Sequence, residues 1–537
     1  MKNAQILDCT LRDGAYLIDK KFGSNVIKGI IKGLMSARID VIEIGFLQDS
    51  GEEEGKTVYR NSIDAEQYIP SSKNNIMFTV LADFSRYSIE NLDNYTGHSF
   101  DAVRACFFKK ERHDVIDFCK SIIEKGYKLF VQPVDILGYT DIEIIELIQE
   151  INEVKPYCFS IVDTFGSMYM DDLQRVFSLI DHNLDKDIRI GFHSHNNMQM
   201  SSALSQEFLK ISQGKRQVII DGTIAGMGRG AGNTPTELLV QYMVTKLGYN
   251  YDVDSLLDVI DGYMNNIRTK CSWGYSTPFF IAGSYSAHVN NINYLLKKNS
   301  IKSKDIRMVL DKIGPDERKR YNYGLLEETY VKSIKSGIDD RIDFENLKAV
   351  LSKRAVLVMA PGNTAKKVNV IKEYIKRKNA ILISVNFIHN QIVADYLYFN
   401  NIKRYSYWEN CATFKEYPKI ITSNIGKKQD CEYEISFERA IKCGWEHMDN
   451  SVIMLLRLLD QMDVGSIGII GFDGYEGERI IKENYVNSDM EVYEENSDFT
   501  KVNQEIREML IDYKFSRTSK CKIEFLAESR FSDIFLN

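Results

Sequence analysis

The sequence predicts an α/β protein: an N-terminal (β/α)₈ barrel with a helical extension, followed by a second, open-sheet α/β domain of Rossmann-like type. Three observations carry this. Eight short apolar runs fall within roughly the first 250 residues, a length ordinary for one closed barrel. Amphipathic stretches of helical period separate them. A fresh alternation of apolar and amphipathic segments begins at Arg354.

The eight runs are residues 5–8, 41–45, 76–81, 102–107, 129–134, 159–162, 188–192 and 218–220. Between them, 24–37 (SNVIKGIIKGLMSA) places apolar residues at i, i+3 and i+4, with Ser24 available to cap. Segments 141–154 and 171–180 open with acidic residues, which suit the positive end of a helix. An open doubly wound sheet shares this periodicity, so the pattern alone leaves closure undecided. Residues 251–350 read as the helical extension packed on the barrel. Residues 351–537 read as the second domain, with strand candidates at 355–362, 380–386, 396–399, 419–423, 466–475 and 522–527.

Composition narrows the function. With 44% hydrophobic residues the 537-residue chain can build large cores, and a net charge of −7 disfavours a nucleic-acid partner. No run of about 18 apolar residues exists, so no membrane span is expected. The opening MKNAQILDCTLRDG lacks the apolar region of a signal peptide. Nine cysteines, an odd number without a CxxC pair, fit reduced thiols in a cytoplasm.

In a barrel, the loops after the strands carry the chemistry, and the notable residues fall there. His193 and His195 are two apart, so on a strand both imidazoles face one side and can share one ion. A carboxylate at the same rim would complete a two-His, one-carboxylate set, and Asp13 after the first strand is the best candidate. Such mixed N/O ligation suits first-row divalent ions. Read alone, the HSH segment equally fits solvated or core histidines. Arg12 stays protonated and can stabilise an oxyanion, and Glu43 can hold it in a bidentate pair; the bland alternative is a structural ion pair. The glycine-rich stretch 226–232 lets backbone approach a ligand, or simply closes the last strand onto its helix. Arg104, Gln132 and Thr164 lie at predicted strand ends, where they either contact substrate or rest in barrel-end hydrogen bonds. His288 lies beyond the barrel and reads more readily as a packing histidine.

Taken together, TLRDG, Glu43, HSHNN and DGTIAGMGRGAGN resemble the DRE-TIM metallolyases, the superfamily of 4-hydroxy-2-oxovalerate aldolase, hydroxymethylglutaryl-CoA lyase and isopropylmalate synthase. The resemblance covers about residues 3–300 and runs strongest to the 4-hydroxy-2-oxovalerate aldolases, through GFHSHNN and GAGNTPTE. It implies a TIM barrel with a divalent metal held by Asp13, His193 and His195, with Asn233 on or near it. Mn²⁺ is the expected ion, with Mg²⁺, Co²⁺ or Zn²⁺ as alternatives. It further implies that Arg12 stabilises an enolate and that Glu43 orients Arg12. The substrates would be a 2-oxo acid and an aldehyde, and the assembly a homo-oligomer. Two departures matter. The glycine loop lacks the cysteine of the hydroxymethylglutaryl-CoA lyases, and Ala15-Tyr16 replaces the Glu-Gln of the Claisen synthases. Tyr16 also stands where the aldolases carry a catalytic histidine. As a phenol it suits hydrogen-bond donation or acid catalysis better than base catalysis. A catalytically altered metal-binding scaffold and a Claisen-type acyl transferase are the alternative readings.

In the second domain, LVMAPGNTAKK reads as strand, turn and helix, whose turn and Lys366 and Lys367 would suit a phosphate, with GFDGY lining the same crevice. It faintly resembles Rossmann-like transferases, which implies a nucleotide or nucleotide sugar; a turn shaped only by Pro and Gly is the simpler alternative.

Overall fold

A computed structural model describes residues 3–50, 53–296, 301, 303–334, 338–426, 431–445, 449–475 and 498–535. Two compact units emerge: Met1–Ile292 with Pro315–Tyr321, and Asn293–Gly314 with Asn322–Asn537. The helical stretch 251–350 is thus shared between them.

The first unit is a closed barrel. Its strands are β1 (Ala4–Asp8), β2 (Val41–Leu47), β3 (Val58–Tyr59), β4 (Met77–Asp83), β5 (Ala102–Phe107), β6 (Lys128–Pro133), β7 (Cys158–Asp163), β8 (Arg189–Ser194) and β9 (Val218–Gly222). All pair in parallel in the order β1-β9-β8-β7-β6-β5-β4-β2-β3. Closure comes from β1 pairing on both sides, Leu7 with Val41 and Asp221 with Leu7. Eight strands form the ring, and the short β3 lies outside it against the end of β2. The pattern could not have shown β3, because two residues carry no period.

Strand alternation divides the core into two layers. Outward residues such as Ile42, Phe78, Val103 and Ile161 pack under helices Ser24–Ser36, Asp141–Val154 and Met170–Asn183. Inward, Leu7, Cys9, Val41, Ala102, Phe130, Cys158 and Ile219 make a small apolar plug. Nearer the strands' carboxyl ends the interior turns polar, with Glu43, Arg104, Ser160 and Asp221 all buried. A register shift between Glu43 and Phe46 breaks the pairing of β2 with β4. At its centre Gly45 has φ 152° and a Cβ there would overlap the Thr57 carbonyl oxygen, so only glycine permits the irregularity beside Glu43.

The second unit holds a seven-stranded parallel sheet. Its strands are β10 (Ala355–Met359), β11 (Ile381–Val385), β12 (Tyr396–Phe399), β13 (Lys419–Thr422), β14 (Tyr433–Ile435), β15 (Ser466–Ile470) and β16 (Lys522–Phe525). The order β14-β13-β12-β11-β10-β15-β16 reverses direction between β10 and β15, as in doubly wound sheets. Apolar cores cover both faces. The three-residue edge strand β14 escapes the sequence pattern. At the switch point the turn after β10 meets the loop after β15: the Asp473 carboxylate accepts from the Thr364 amide at 2.8 Å and from the Thr364 hydroxyl. Thr364 in that turn is thus engaged by a carboxylate, and Lys366 and Lys367 are exposed.

Among the described residues no helix is long and apolar enough to cross a membrane.

Candidate active site

The carboxyl ends of β1, β2, β5, β8 and β9 bring one polar cluster together. His193, on β8, and His195, just after it, bring their Nε2 atoms to 3.3 Å from each other. Asp13, in the turn after β1, puts Oδ2 3.1 Å from His195 Nε2 and 3.9 Å from His193 Nε2. The Asn233 amide approaches the same oxygen at 2.6 Å, and Asn233 Oδ1 is buried without a hydrogen-bond partner. The glycine loop delivers Asn233: a backbone bridge ties it to His195, and Gly232 (φ 83°) lies so close to the Gly226 carbonyl that any Cβ would overlap it. Asn197 pins the loop by accepting from the Ala231 amide at 3.0 Å and donating to the Phe165 carbonyl at 3.0 Å.

Proton placement decides what these groups can hold. His193 Nδ1 faces Asp221 Oδ2 at 3.0 Å, and His195 Nδ1 faces the Thr164 carbonyl at 2.7 Å. Both partners are acceptors, so each imidazole carries its proton on Nδ1 and presents the Nε2 lone pair to the cluster. Burial pushes His193 below its usual range although Asp221 opposes it, which keeps the ring neutral. Burial raises the Asp13 carboxyl, but the Arg12 guanidinium beside it is the foremost opposing group, and the carboxyl is held well below the usual carboxylate range. Two lone pairs and a carboxylate oxygen that converge without a proton between them repel unless a cation lies there. Arg12 and Arg104 oppose Asp13, Glu43 and Asp221, which leaves one negative charge in excess in a buried place. These donors fit a divalent first-row ion, and Asn233 Oδ1 is an available fourth ligand after an amide flip.

A second grouping, Cys9 with His193 and Asp221, also lies within ligand distance. It is a supporting layer instead. The Cys9 thiol is pushed well up by burial and donates to the Gly222 carbonyl at 3.3 Å, and Arg104 and His193 occupy Asp221.

Arg12 is the cation nearest the cluster. Its Nε donates to Glu43 Oε2 at 2.7 Å and its Nη1 to Asp13 Oδ1 at 2.7 Å, while Nη2 has no partner among the described residues. Glu43 does not grip Arg12 with both oxygens, as expected. Its Oε2 is shared with Arg104 Nη1 at 2.9 Å, and Oε1 is left without a partner. Arg104 itself is a correction to the sequence reading. Completely buried between Glu43 and Asp221, it braces the two walls and has no surface for a substrate. Thr164 is likewise committed: its hydroxyl accepts from the Asp135 amide at 2.8 Å and its carbonyl orients His195. Gln132 donates to Ser160 Oγ at 2.6 Å, leaving Oε1 without a partner among the described residues. Tyr16 packs edge-on against Phe46 at 5.1 Å and under the Arg229 guanidinium at 4.0 Å. Burial raises its phenol although Arg229 and Arg12 oppose, so Tyr16 keeps its proton at neutral pH and is no base.

Residues 3–261 match the family model described as HMGL-like. Over that span the barrel is similar to the HMGL-like family. The barrel also matches curated relatives. One is oxaloacetate decarboxylase of Mycobacterium tuberculosis, 27% identical over 240 residues, covering 44% of this chain and 68% of the relative. Another is 4-hydroxy-2-oxovalerate aldolase of Pseudoalteromonas translucida, 24% identical over 329 residues, covering 58% of this chain and 91% of the relative. A solved N-terminal domain assigned as an aldolase, from Bacteroides vulgatus, is 24% identical, covering 55% of this chain and 96% of its own, with a TM-score of 0.48.

Asp221 opens the DGTIAGMGRGAGN segment, yet the sequence assigned it no role, because its partners Arg104 and His193 lie far off in the chain. The ring it orients supplies one predicted ligand atom. Asp221→Asn is expected to weaken Mn²⁺ affinity by about 10- to 100-fold, the usual cost of losing a carboxylate behind a ligating histidine. Calorimetric titration with Mn²⁺ checks this, and an unchanged affinity would remove Asp221 from the metal centre.

Proposed function

We propose that the barrel is a divalent-metal-dependent carbon–carbon lyase of the aldolase type, working through a pyruvate-type enolate. The observation that carries this is the convergence of Asp13, His193 and His195 beside a guanidinium with an unused edge. Asp13, His193 and His195 would hold the ion, with Asn233 as a further ligand and Mn²⁺ as the expected metal. When bound, the ion supplies Lewis acidity toward a 2-oxo acid. Arg12 offers Nη2–H to the oxygen on which enolate charge develops. Glu43 and Asp13 fix the plane of that guanidinium, and Arg104 fixes Glu43 in turn. Asp221 and the Thr164 carbonyl set the histidine tautomers. Tyr16, protonated at the mouth, donates a hydrogen bond to the oxygen of the aldehyde half. Cleavage breaks the bond between C3 and C4 of a 4-hydroxy-2-oxo acid: its electron pair becomes the enolate, the C4 hydroxyl proton passes to solvent water at the barrel mouth as the aldehyde carbonyl forms, and the enolate takes a proton from water at C3 to give the 2-oxo acid.

A panel of 4-hydroxy-2-oxo acids, with pyruvate release coupled to an NADH-linked assay, tests the reading. Activity should vanish on chelation, return with Mn²⁺ and survive borohydride, since no lysine adduct forms. Turnover that survives metal removal, or trapping of a lysine adduct, would overturn it. Decarboxylation of a 2-oxo diacid is a second reading, favoured by Tyr16, because losing CO₂ needs no base to take a hydroxyl proton. Oxaloacetate in the same panel separates the two.

A further inference from the structure

Arg229 sits at the tip of the glycine loop, half-buried, with its backbone fixed by the Gly232 amide, which donates to its carbonyl at 3.1 Å. Its guanidinium lies 4.0 Å over the Tyr16 ring and has no hydrogen bond or carboxylate partner among the described residues. Around it the barrel mouth is ringed by cations that do have partners. Arg86 faces Asp83 at 3.5 Å and hydrogen-bonds Tyr321, and Lys20 donates to Gln48 at 3.1 Å while lying 4.9 Å over Phe46. Tyr321 packs edge-on against His288 at 5.1 Å. The Asn290 amide donates to His288 Nδ1 at 3.1 Å, so a neutral His288 carries its proton on Nε2. Burial, then Arg229 and His195, push this imidazole down to about 4, so at neutral pH it is uncharged and adds only a donor. Among the described residues named here, the rim thus presents hydrogen-bond donors, and Arg229 is a guanidinium without a carboxylate partner.

We propose that Arg229 reads a second anionic group, a carboxylate or phosphate, on the aldehyde half of the substrate. This rests on the aldolase reading above. A guanidinium stacked on an aromatic ring is held flat with its outer edge free, the geometry that binds planar carboxylates and phosphates through two parallel hydrogen bonds. Tyr16 underneath gives the fork its platform, which explains a tyrosine where proton abstraction would call for a base.

The test compares kcat/KM for 4-hydroxy-2-oxo acids made from pyruvate with propanal (neutral), glyoxylate (carboxylate) or glycolaldehyde phosphate (phosphate). One of the anionic substrates should exceed the neutral one by about 30-fold or more, and which one does so names the group. In Arg229→Gln the anionic-to-neutral ratio should fall by about 10- to 100-fold, through KM, with partial recovery in Arg229→Lys. A merely structural role would depress all three substrates alike and leave the ratio unmoved. Without turnover, calorimetry should show Arg229→Gln losing affinity for 2-oxoglutarate relative to pyruvate. A wild-type ratio near one, or an unchanged ratio in Arg229→Gln, overturns the proposal. Mn²⁺-dependent exchange of pyruvate methyl protons with deuterated solvent separates the two readings. Exchange without anion preference overturns only the role of Arg229, whereas no exchange and no cleavage of any substrate overturns both.

Discussion

Asp13→Ala should strip the barrel of its metal and reduce 2-oxo-acid release by on the order of 10³-fold. The carboxylate works at both ends. Oδ1 holds Arg12 at 2.7 Å, and Oδ2 completes the pair of imidazoles. Alanine leaves two neutral nitrogens as the remaining pair. Since merely losing a partner behind a ligand costs about 10- to 100-fold in affinity, losing the charged ligand should cost more than about 100-fold. Metal content after desalting and kcat at saturating Mn²⁺ are the measurements, with thermal melting to show that the barrel is intact. Asp13→Ala protein that retains one tightly held ion per chain would place the metal elsewhere.

Arg12→Lys should separate chemistry from metal binding. Lysine keeps the charge but is a single point. It cannot reach Glu43 Oε2 and Asp13 Oδ1 together and still present a free edge. We expect kcat to fall by about 10²- to 10³-fold, the usual cost of removing one preorganised donor from a developing oxyanion, while Mn²⁺ stoichiometry is retained. A kcat within about threefold of wild type would deny Arg12 that role.

What was legible in the sequence follows from what period and spacing encode. Eight apolar runs gave eight barrel strands, and HSH on one of them gave two imidazoles on a common side. Asp13 could be named because it follows the first strand, two ring positions from the histidines. The supporting layer was not legible in this way. Arg104 and Asp221 act through each other across 117 positions of chain, and no local pattern marks an inward arginine as a brace rather than a ligand contact. Thr164 was found at the right strand end, yet its contribution to the cluster is a backbone carbonyl, which side-chain chemistry does not foretell. Arg229 was hidden among glycines, where the eye reads loop flexibility, and only the stacking on Tyr16 gives it meaning. In the second unit, GFDGY was rightly placed beside the turn after β10, but no local pattern reveals that its Asp473, 109 residues on from Thr364, accepts hydrogen bonds from that turn.

The divided grip of Asp13 has a further consequence. One planar group serves as a lever with the guanidinium on one arm and the ion-binding pocket on the other. Ions of different radius would tilt that lever by different amounts and so re-aim the arginine edge. On the proposed reading, selectivity among metals and catalytic speed would be mechanically joined, and a swap of ion is expected to read out as a change in rate even at equal occupancy.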